Sequence, residues 1–176
     1  MADHDNDIKL LRSYLDGDER AFAMIVEKHE KTLMNFFYRM TRDRETSSDL
    51  CQETFLRFIK AAKELRGESS LGTWLYRVAY NIFIDHARRK EPQKVEIEKV
   101  SIGSGPKAEK NLEGGELREK VMGSIARLPK EQGAAVYLFY FEEMDLREIA
   151  KVLSASEGKV KTLLFRGREN LRELLG

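Results

Sequence analysis

One cysteine, Cys51, stands among 176 residues, so no disulfide can close within the chain and nothing in its thiol content points to an oxidising compartment. His4, His29, His86 and that cysteine are scattered without metal-ligand spacing, so no metal site and no other cofactor is expected. No apolar run approaches the roughly 20 residues that a membrane span needs. The acidic, polar N-terminus also lacks the basic start and apolar middle of a secretion signal. A cytoplasmic protein that does not insert into membranes is therefore expected. Proline is scarce and confined to punctuation: Pro92 and Pro106 lie in one weakly hydrophobic stretch and Pro129 at a helix junction. No segment alternates apolar and polar residues as a half-buried strand would, which leaves an all-α fold.

Charge, by contrast, is abundant and nearly balanced, with 31 basic against 30 acidic residues. A net +1 ordinarily argues against a polyanionic partner. The distribution argues the other way. Residues 1–56 carry 8 basic and 12 acidic side chains, residues 57–90 carry 8 and 3, residues 91–116 carry 4 and 6, and residues 117–176 carry 11 and 9. Two basic zones around an acidic one fit a segmented polyanion-binding protein, and they also fit ordinary solvated helix faces. The acidic stretch EPQKVEIEKVSIGSGPKAEKNLEGGE has four glycines and no aromatic residue, the composition of a flexible linker. It divides the chain into a first domain over 1–91, a linker over 92–115 and a second domain over 116–176.

Helical periodicity fills both domains. A first helix over Asp7–Asp16 stops at Gly17. A second over Asp18–Met40 lines up Phe22, Ile25, His29, Leu33, Phe36 and Met40 on one face. A third over Ser47–Leu65, with a Thr46–Asp49 capping arrangement, turns Cys51, Phe55, Phe58, Ala62 and Leu65 inward. A fourth over Ser70–Lys90 does the same with Leu71, Leu75, Val78, Ile82 and His86. The second domain reads as helices over Glu116–Arg127, Lys130–Phe141, Leu146–Leu153 and Glu157–Leu175. Asp145 and Glu148 form a capping-box pattern, and Ser154-Ala155-Ser156 leaves room only for a sharp turn before a longer basic helix. That is the sequence form of a helix-turn-helix.

Three faces carry chemistry. On the third helix Asp49, Gln52, Glu53, Leu56 and Lys60 lie opposite the core stripe; one aliphatic anchor among charges suits docking on a partner helix, or is an exposed leucine on a solvated face. On the fourth, Thr73, Arg77, Tyr80, Asn81, Ile84 and Arg88, with Trp74 and Tyr76 nearby, could stack and pair with unpaired bases. Trp74 and Tyr80 could equally be core aromatics. On the last, Lys159, Lys161, Thr162, Phe165, Arg166 and Arg168 suit phosphate contacts plus a few base contacts.

In order along the chain, these segments resemble the extracytoplasmic-function (ECF) group of bacterial RNA polymerase sigma factors. Asp49-Leu50-Cys51-Gln52-Glu53-Thr54-Phe55 is similar to the family's polymerase-docking segment. Arg66-Gly67-Glu68-Ser69-Ser70, then Thr73-Trp74-Leu75-Tyr76-Arg77-Val78-Ala79 and Asn81, look like its promoter-melting segment. Leu128-Pro129, Gln132, Glu148-Ile149-Ala150, Ser156, Gly158, Val160-Lys161 and Arg166 match its upstream-element helix-turn-helix. The resemblance implies a promoter-specificity subunit, not an enzyme, whose partners are core RNA polymerase, promoter DNA and an anti-sigma factor. It implies polymerase docking through Asp49, Gln52, Glu53 and Leu56. The melted −10 strand would be read by Arg66, Gly67, Ser69, Ser70, Trp74, Arg77, Tyr80, Asn81 and Arg88. The −35 duplex would be read by Lys159, Lys161, Thr162, Phe165, Arg166 and Arg168. It further implies two domains held apart by the linker until an inhibitory partner closes them.

Departures from the family pattern are Cys51 in place of threonine or valine, Ser154 where the turn often has glycine, and Leu163 where many members have arginine. Two rival readings remain. A free-standing helix-turn-helix regulator accounts for residues 145–175 but gives the Asp49–Phe55 segment and the Trp74 region no role. A nuclease built on Asp49, Glu53, Asp85 and His86 has no phosphate loop, metal-ligand spacing or nucleophile motif behind it.

Overall fold

The computed structural model describes residues 2–65, 70–90 and 114–176, and among these residues all regular structure is helical. The expected linker and the Arg66, Gly67 and Ser69 positions lie outside the described residues. In the first domain α1 spans Ala2–Leu15, α2 Glu19–Thr41, α3 Arg44–Ala61, followed by a 3₁₀ turn at Ala62–Glu64, and α4 Leu71–Lys90. In the second, α5 spans Gly114–Ile125, α6 Lys130–Tyr140, α7 Leu146–Leu153 and α8 Glu157–Leu175.

Local chemistry sets most of these ends. Gly17 at φ +102° turns the chain out of α1, a conformation that a Cβ would strain. Asp18 caps α2, accepting the Arg20 N–H at 3.0 Å, and α2 ends at left-handed Arg42. The start of α3 corrects the expected Thr46–Asp49 cap. Asp43, in extended backbone, takes the Thr46 N–H at 2.6 Å, so the helix starts three residues earlier than its apolar periodicity indicates. Helix α1 likewise begins well before Asp7, and α5 begins at Gly114, inside the stretch assigned to the linker.

The first core is built on Ile25, Leu33, Phe36, Phe37, Phe58 and Leu75, all at most 1% exposed. Each contributes about 1.5–3 kcal/mol through removal from water. Met122, Ile125, Leu138, Ile149, Val152 and Val160 continue the same buried cluster through the second domain, with Leu163 and Leu164 buried on α8. Leu163 is thus a core residue here.

The two domains also pack on each other, mainly α4 against α7, with α2 touching α5 and α6. Phe36 meets Tyr137 edge-on with ring centroids 5.7 Å apart. Arg39 pairs with Glu119 at 3.5 Å, and Thr73 donates to Glu148 at 3.3 Å. The expectation of domains standing apart until a partner closes them is corrected accordingly. The physical reason lies on α4, which has a second buried face: Thr73, Tyr76, Tyr80 and Phe83 are all at most 6% exposed.

Candidate nucleic-acid and partner interfaces

The first surface lies where α3 crosses α2. Phe22, Val26, Glu30 and Met34, four residues apart, form one wall about 18 Å long. Ser48, Cys51, Gln52, Phe55, Leu56 and Ile59 form the other, and together they enclose a groove of about 360 Å³. Leu56 is 57% exposed at its rim, and Met24 and Ile59 are exposed as well. Of the expected docking residues, Gln52 and Leu56 line the groove, while Asp49 is exposed on the same helix and Glu53 is held by Arg57 at 2.5 Å. Leu56 therefore stands at the edge of an apolar groove with a polar rim and not on an isolated patch. The sequence spacing places Phe22 on the core stripe and does not mark the α2 wall. A second stripe on α2, Phe22-Val26-Met34, is the signal that marks it.

The second surface is α4. Ser70 caps it, accepting the Thr73 N–H at 3.0 Å, with its hydroxyl 2.8 Å from that of Thr73. Trp74 is half-buried, edge-on to Phe58 at 6.0 Å, at the end of a ring cluster that includes Phe22 and Tyr14. Arg77, Asn81 and Arg88 are exposed along the outer side, Arg88 within 3.8 Å of Asp85. Tyr80 is set apart from them, 6% exposed beneath the second domain. Burial, with the nearby charge of Glu131, pushes its hydroxyl up to about 12.

The third surface is α8. The capping box of Asp145 and Glu148 fixes α7, left-handed Ser154 makes the turn, and Ser156 caps α8 by accepting the Lys159 N–H at 3.1 Å. Lys159, Lys161, Thr162, Phe165, Arg166 and Arg168 are all exposed on the side away from Val160, Leu163 and Leu164. Lys159 is paired with Glu131 at 2.8 Å, and Thr162 donates to the Gly158 carbonyl at 3.1 Å. No cluster of potential metal ligands occurs among the described residues, and no described helix is long and apolar enough to cross a membrane.

Fold and surfaces together define an all-helical, two-domain protein that carries a helix-turn-helix. Family models for sigma-70 region 2 and sigma-70 region 4 match residues 25–92 and 118–171. The chain is 30% identical to the RNA polymerase sigma-H factor of Pseudomonas aeruginosa over 99% of its length and 96% of that protein's. It is also 30% identical to the ECF RNA polymerase sigma factor SigW of Bacillus subtilis, over 95% of each. The fold resembles CnrH in complex with the cytosolic domain of CnrY, with TM-score 0.73, 20% identity and 97% of each chain covered. It also resembles the sigma factor RpoE of Bartonella quintana in complex with the anti-sigma factor NepR, with TM-score 0.71, 21% identity, and 88% and 96% covered. The chain belongs to the ECF group of RNA polymerase sigma factors. It is accordingly a regulatory subunit of transcription and not an enzyme.

Proposed function

We propose that this sigma factor docks on core polymerase through the α2–α3 groove and its rim of Asp49, Gln52, Glu53 and Leu56, reads the −10 element as a melted strand along α4, and reads the −35 element as duplex with α8. Residues 1–91 and 116–176 act as the two working domains, joined by 92–115, and the setting is the cytoplasm where polymerase works. The observation that carries the reading is one chain holding an apolar groove between α2 and α3 together with two separate exposed polar and basic faces on α4 and α8. A free-standing regulator needs only the α8 face.

On α4, Asn81 offers both a donor and an acceptor to a base edge, and Arg77 and Arg88 supply charge. Stacking and hydrogen bonding of a flipped base offset the few kcal/mol needed to open a base step. Ser70, which caps α4, stands beside that face, and Arg66, Gly67 and Ser69 are assigned to the same base by the family resemblance. On α8, Lys159 and Thr162 lie in the first turns, where a recognition helix meets base edges, while Lys161, Arg166 and Arg168 follow the phosphates. An anti-sigma factor is the natural inhibitory partner, since the similar RpoE was determined in complex with the anti-sigma factor NepR, and the α2–α3 groove is the surface it would contest with polymerase.

The test is core binding by the variant Leu56→Lys/Glu53→Lys. Leu56 is exposed and Glu53 half-exposed, so the fold should survive while affinity for core polymerase falls at least tenfold. Unchanged affinity would overturn the docking assignment. Asn81→Ala should lower open-complex formation more than initial duplex binding, as measured by permanganate reactivity of the melted strand.

A further inference from the structure

Helix α1 lies outside residues 25–92, the stretch that matches sigma-70 region 2, yet it packs on α2, on the 3₁₀ turn and on α4. It holds them through two residues on one face, Asp7 and Tyr14, about 10 Å apart along the helix axis. Asp7 is a carboxylate only 3% exposed. It accepts from the Lys28 ammonium at 2.6 Å and stands 3.3 Å from Nε2 of His29. The neighbouring ring atom of His29, Cε1, lies 3.7 Å from the point where a Cβ on Gly72 would stand, and the Ser70 hydroxyl is 4.0 Å from the same point. The imidazole is thus wedged between the carboxylate of α1 and the first turn of α4. Tyr14 works from the other end: its ring stacks on Phe58 at 6.1 Å, and Phe58 meets Trp74 edge-on at 6.0 Å. Both contacts converge on one turn, where Ser70 accepts the Thr73 N–H on its hydroxyl and the Trp74 N–H on its carbonyl, each at 3.0 Å. A buried ion pair holds two helices together no better than an apolar pair of similar size. What the charge adds is direction, since it fixes the imidazole that the first turn of α4 rests on.

We propose that Asp7 is a positioning residue for strand reading: through His29 it sets the first turn of α4, and with it the orientation in which Trp74 meets an unpaired base. The inference rests on the reading of α4 as the strand-binding helix. Asp7 and His29 line neither the α2–α3 groove nor the exposed face of α8, so polymerase docking and duplex reading do not pass through them.

The experiment uses the full chain, free and assembled with core polymerase, carrying Asp7→Asn, His29→Ala, both together, or Asp7→Glu. Fluorescence anisotropy reads binding by the assembled enzyme of a labelled pool of random single strands of about 15 nucleotides. Titration with core polymerase reads docking. Trp74 is the only tryptophan in the chain, so its emission reports its own surroundings. Asp7→Asn and His29→Ala are each expected to weaken strand binding about fivefold, and the double variant to lose no more than either alone, as coupled residues do. Core affinity should stay unchanged while Trp74 emission in the free chain moves to longer wavelength. Asp7→Glu, which keeps the charge, should restore strand binding and emission together. A merely structural anchor would lower the unfolding midpoint and leave the folded chain's strand affinity and emission alone. That outcome, additive losses in the double variant, or core affinity falling along with strand affinity would each overturn the proposal. Should Asp7→Asn fail to fold, His29→Ala decides, because it leaves the Asp7–Lys28 pair to anchor α1, and wild-type strand affinity in it would overturn the proposal. If the wild-type assembly binds no single strand, or Asn81→Ala binds it with wild-type affinity, the strand-reading function itself falls and this proposal with it.

Discussion

Gly133 and Gly167 lie within α6 and α8 and Gly123 in the last turn of α5, where glycine costs up to about 1 kcal/mol relative to alanine, yet their surroundings make them unlike one another. A Cβ at Gly123 would meet nothing within 4 Å. At Gly133 it would stand 3.0 Å from the Ile125 carbonyl oxygen, and at Gly167 2.7 Å from Val136, where α8 crosses α6. Gly123→Ala should therefore raise the free energy of unfolding by about 0.5–1 kcal/mol. Gly133→Ala should gain nothing, and Gly167→Ala should lose about 1–3 kcal/mol by forcing α6 and α8 apart. Urea denaturation of the three variants checks the order, and a stabilised Gly167→Ala would show that the crossing is looser than its geometry. Sequence alone gives all three the same helix penalty, because only packing distinguishes an idle glycine from one that admits a neighbour. Cys51 poses the same problem of environment. Burial, with a smaller contribution from Glu30, pushes its thiol up to about 11, so almost no thiolate exists near neutral pH. Aromatic disulfide reagents should leave the native protein unmodified at pH 7.5 and label it only after unfolding; rapid labelling of the folded chain would point to a reactive role.

At the scale of helices, the proposed division of α8 into a base-reading end and a phosphate-tracking end is open to test, and the Lys159–Glu131 pair touches only the first. Both partners are about half exposed, so the pair is worth about 0–1 kcal/mol and yields readily to a better acceptor on DNA. Lys159→Ala should change base preference at one or two positions of the −35 element, costing about 1–3 kcal/mol against the preferred site. Glu131→Ala should keep that preference and raise affinity modestly. Arg168→Ala should weaken all sites alike and lower the salt dependence by about one phosphate contact. Binding selections from randomised duplexes at two salt concentrations separate these outcomes, and a uniform loss from Lys159→Ala would move it to the phosphate group. The ends of α7 and α8 were legible from the sequence to the residue, since Asp145, Glu148 and Ser156 act on backbone groups two or three positions away. The start of α3 was not, because Asp43 and Thr46 are both competent caps and only the backbone angles choose between them. Helix α4 was half legible. Its Leu71-Leu75-Ile82 stripe announces one core, but nothing in its spacing says that the Thr73-Tyr76-Tyr80-Phe83 stripe meets a second domain rather than solvent or DNA.

At the scale of the whole molecule, the seam between the domains contains a carboxyl whose ionisation is disfavoured in the packed arrangement, and a test follows for whether it controls closure. Burial holds the Glu142 carboxyl above the ordinary glutamate value of 4.5, an effect only partly offset by the hydroxyls of Tyr76 and Tyr137. A carboxyl with a raised value in the closed form takes up a proton on closing. Its contribution is therefore fully present below pH 4.5 and is lost as pH rises through the raised value. Acidification from pH 8 toward 5 should then compact the chain, and Glu142→Gln, which fixes the uncharged form, should remain compact and insensitive across that range. His86, on the last turn of α4, works in the opposite sense. Burial and the neighbouring Lys90 and Arg89 lower its value below 6.5 against the pull of Asp43, so its neutral form stabilises the first domain above that pH and the benefit fades as pH falls. Asp7, held down chiefly by its hydrogen bonds to His29 and Lys28 despite the larger opposing effect of burial, contributes above 3.8 and loses its share only at still lower pH, outside the window. Because His86 and Asp7 are common to wild type and variant, the difference in radius of gyration between the two as a function of pH isolates Glu142. Parallel pH profiles for wild type and Glu142→Gln would remove this carboxyl from the control of closure, whereas convergence at low pH and divergence at neutral pH would make closure of this sigma factor a proton-linked equilibrium.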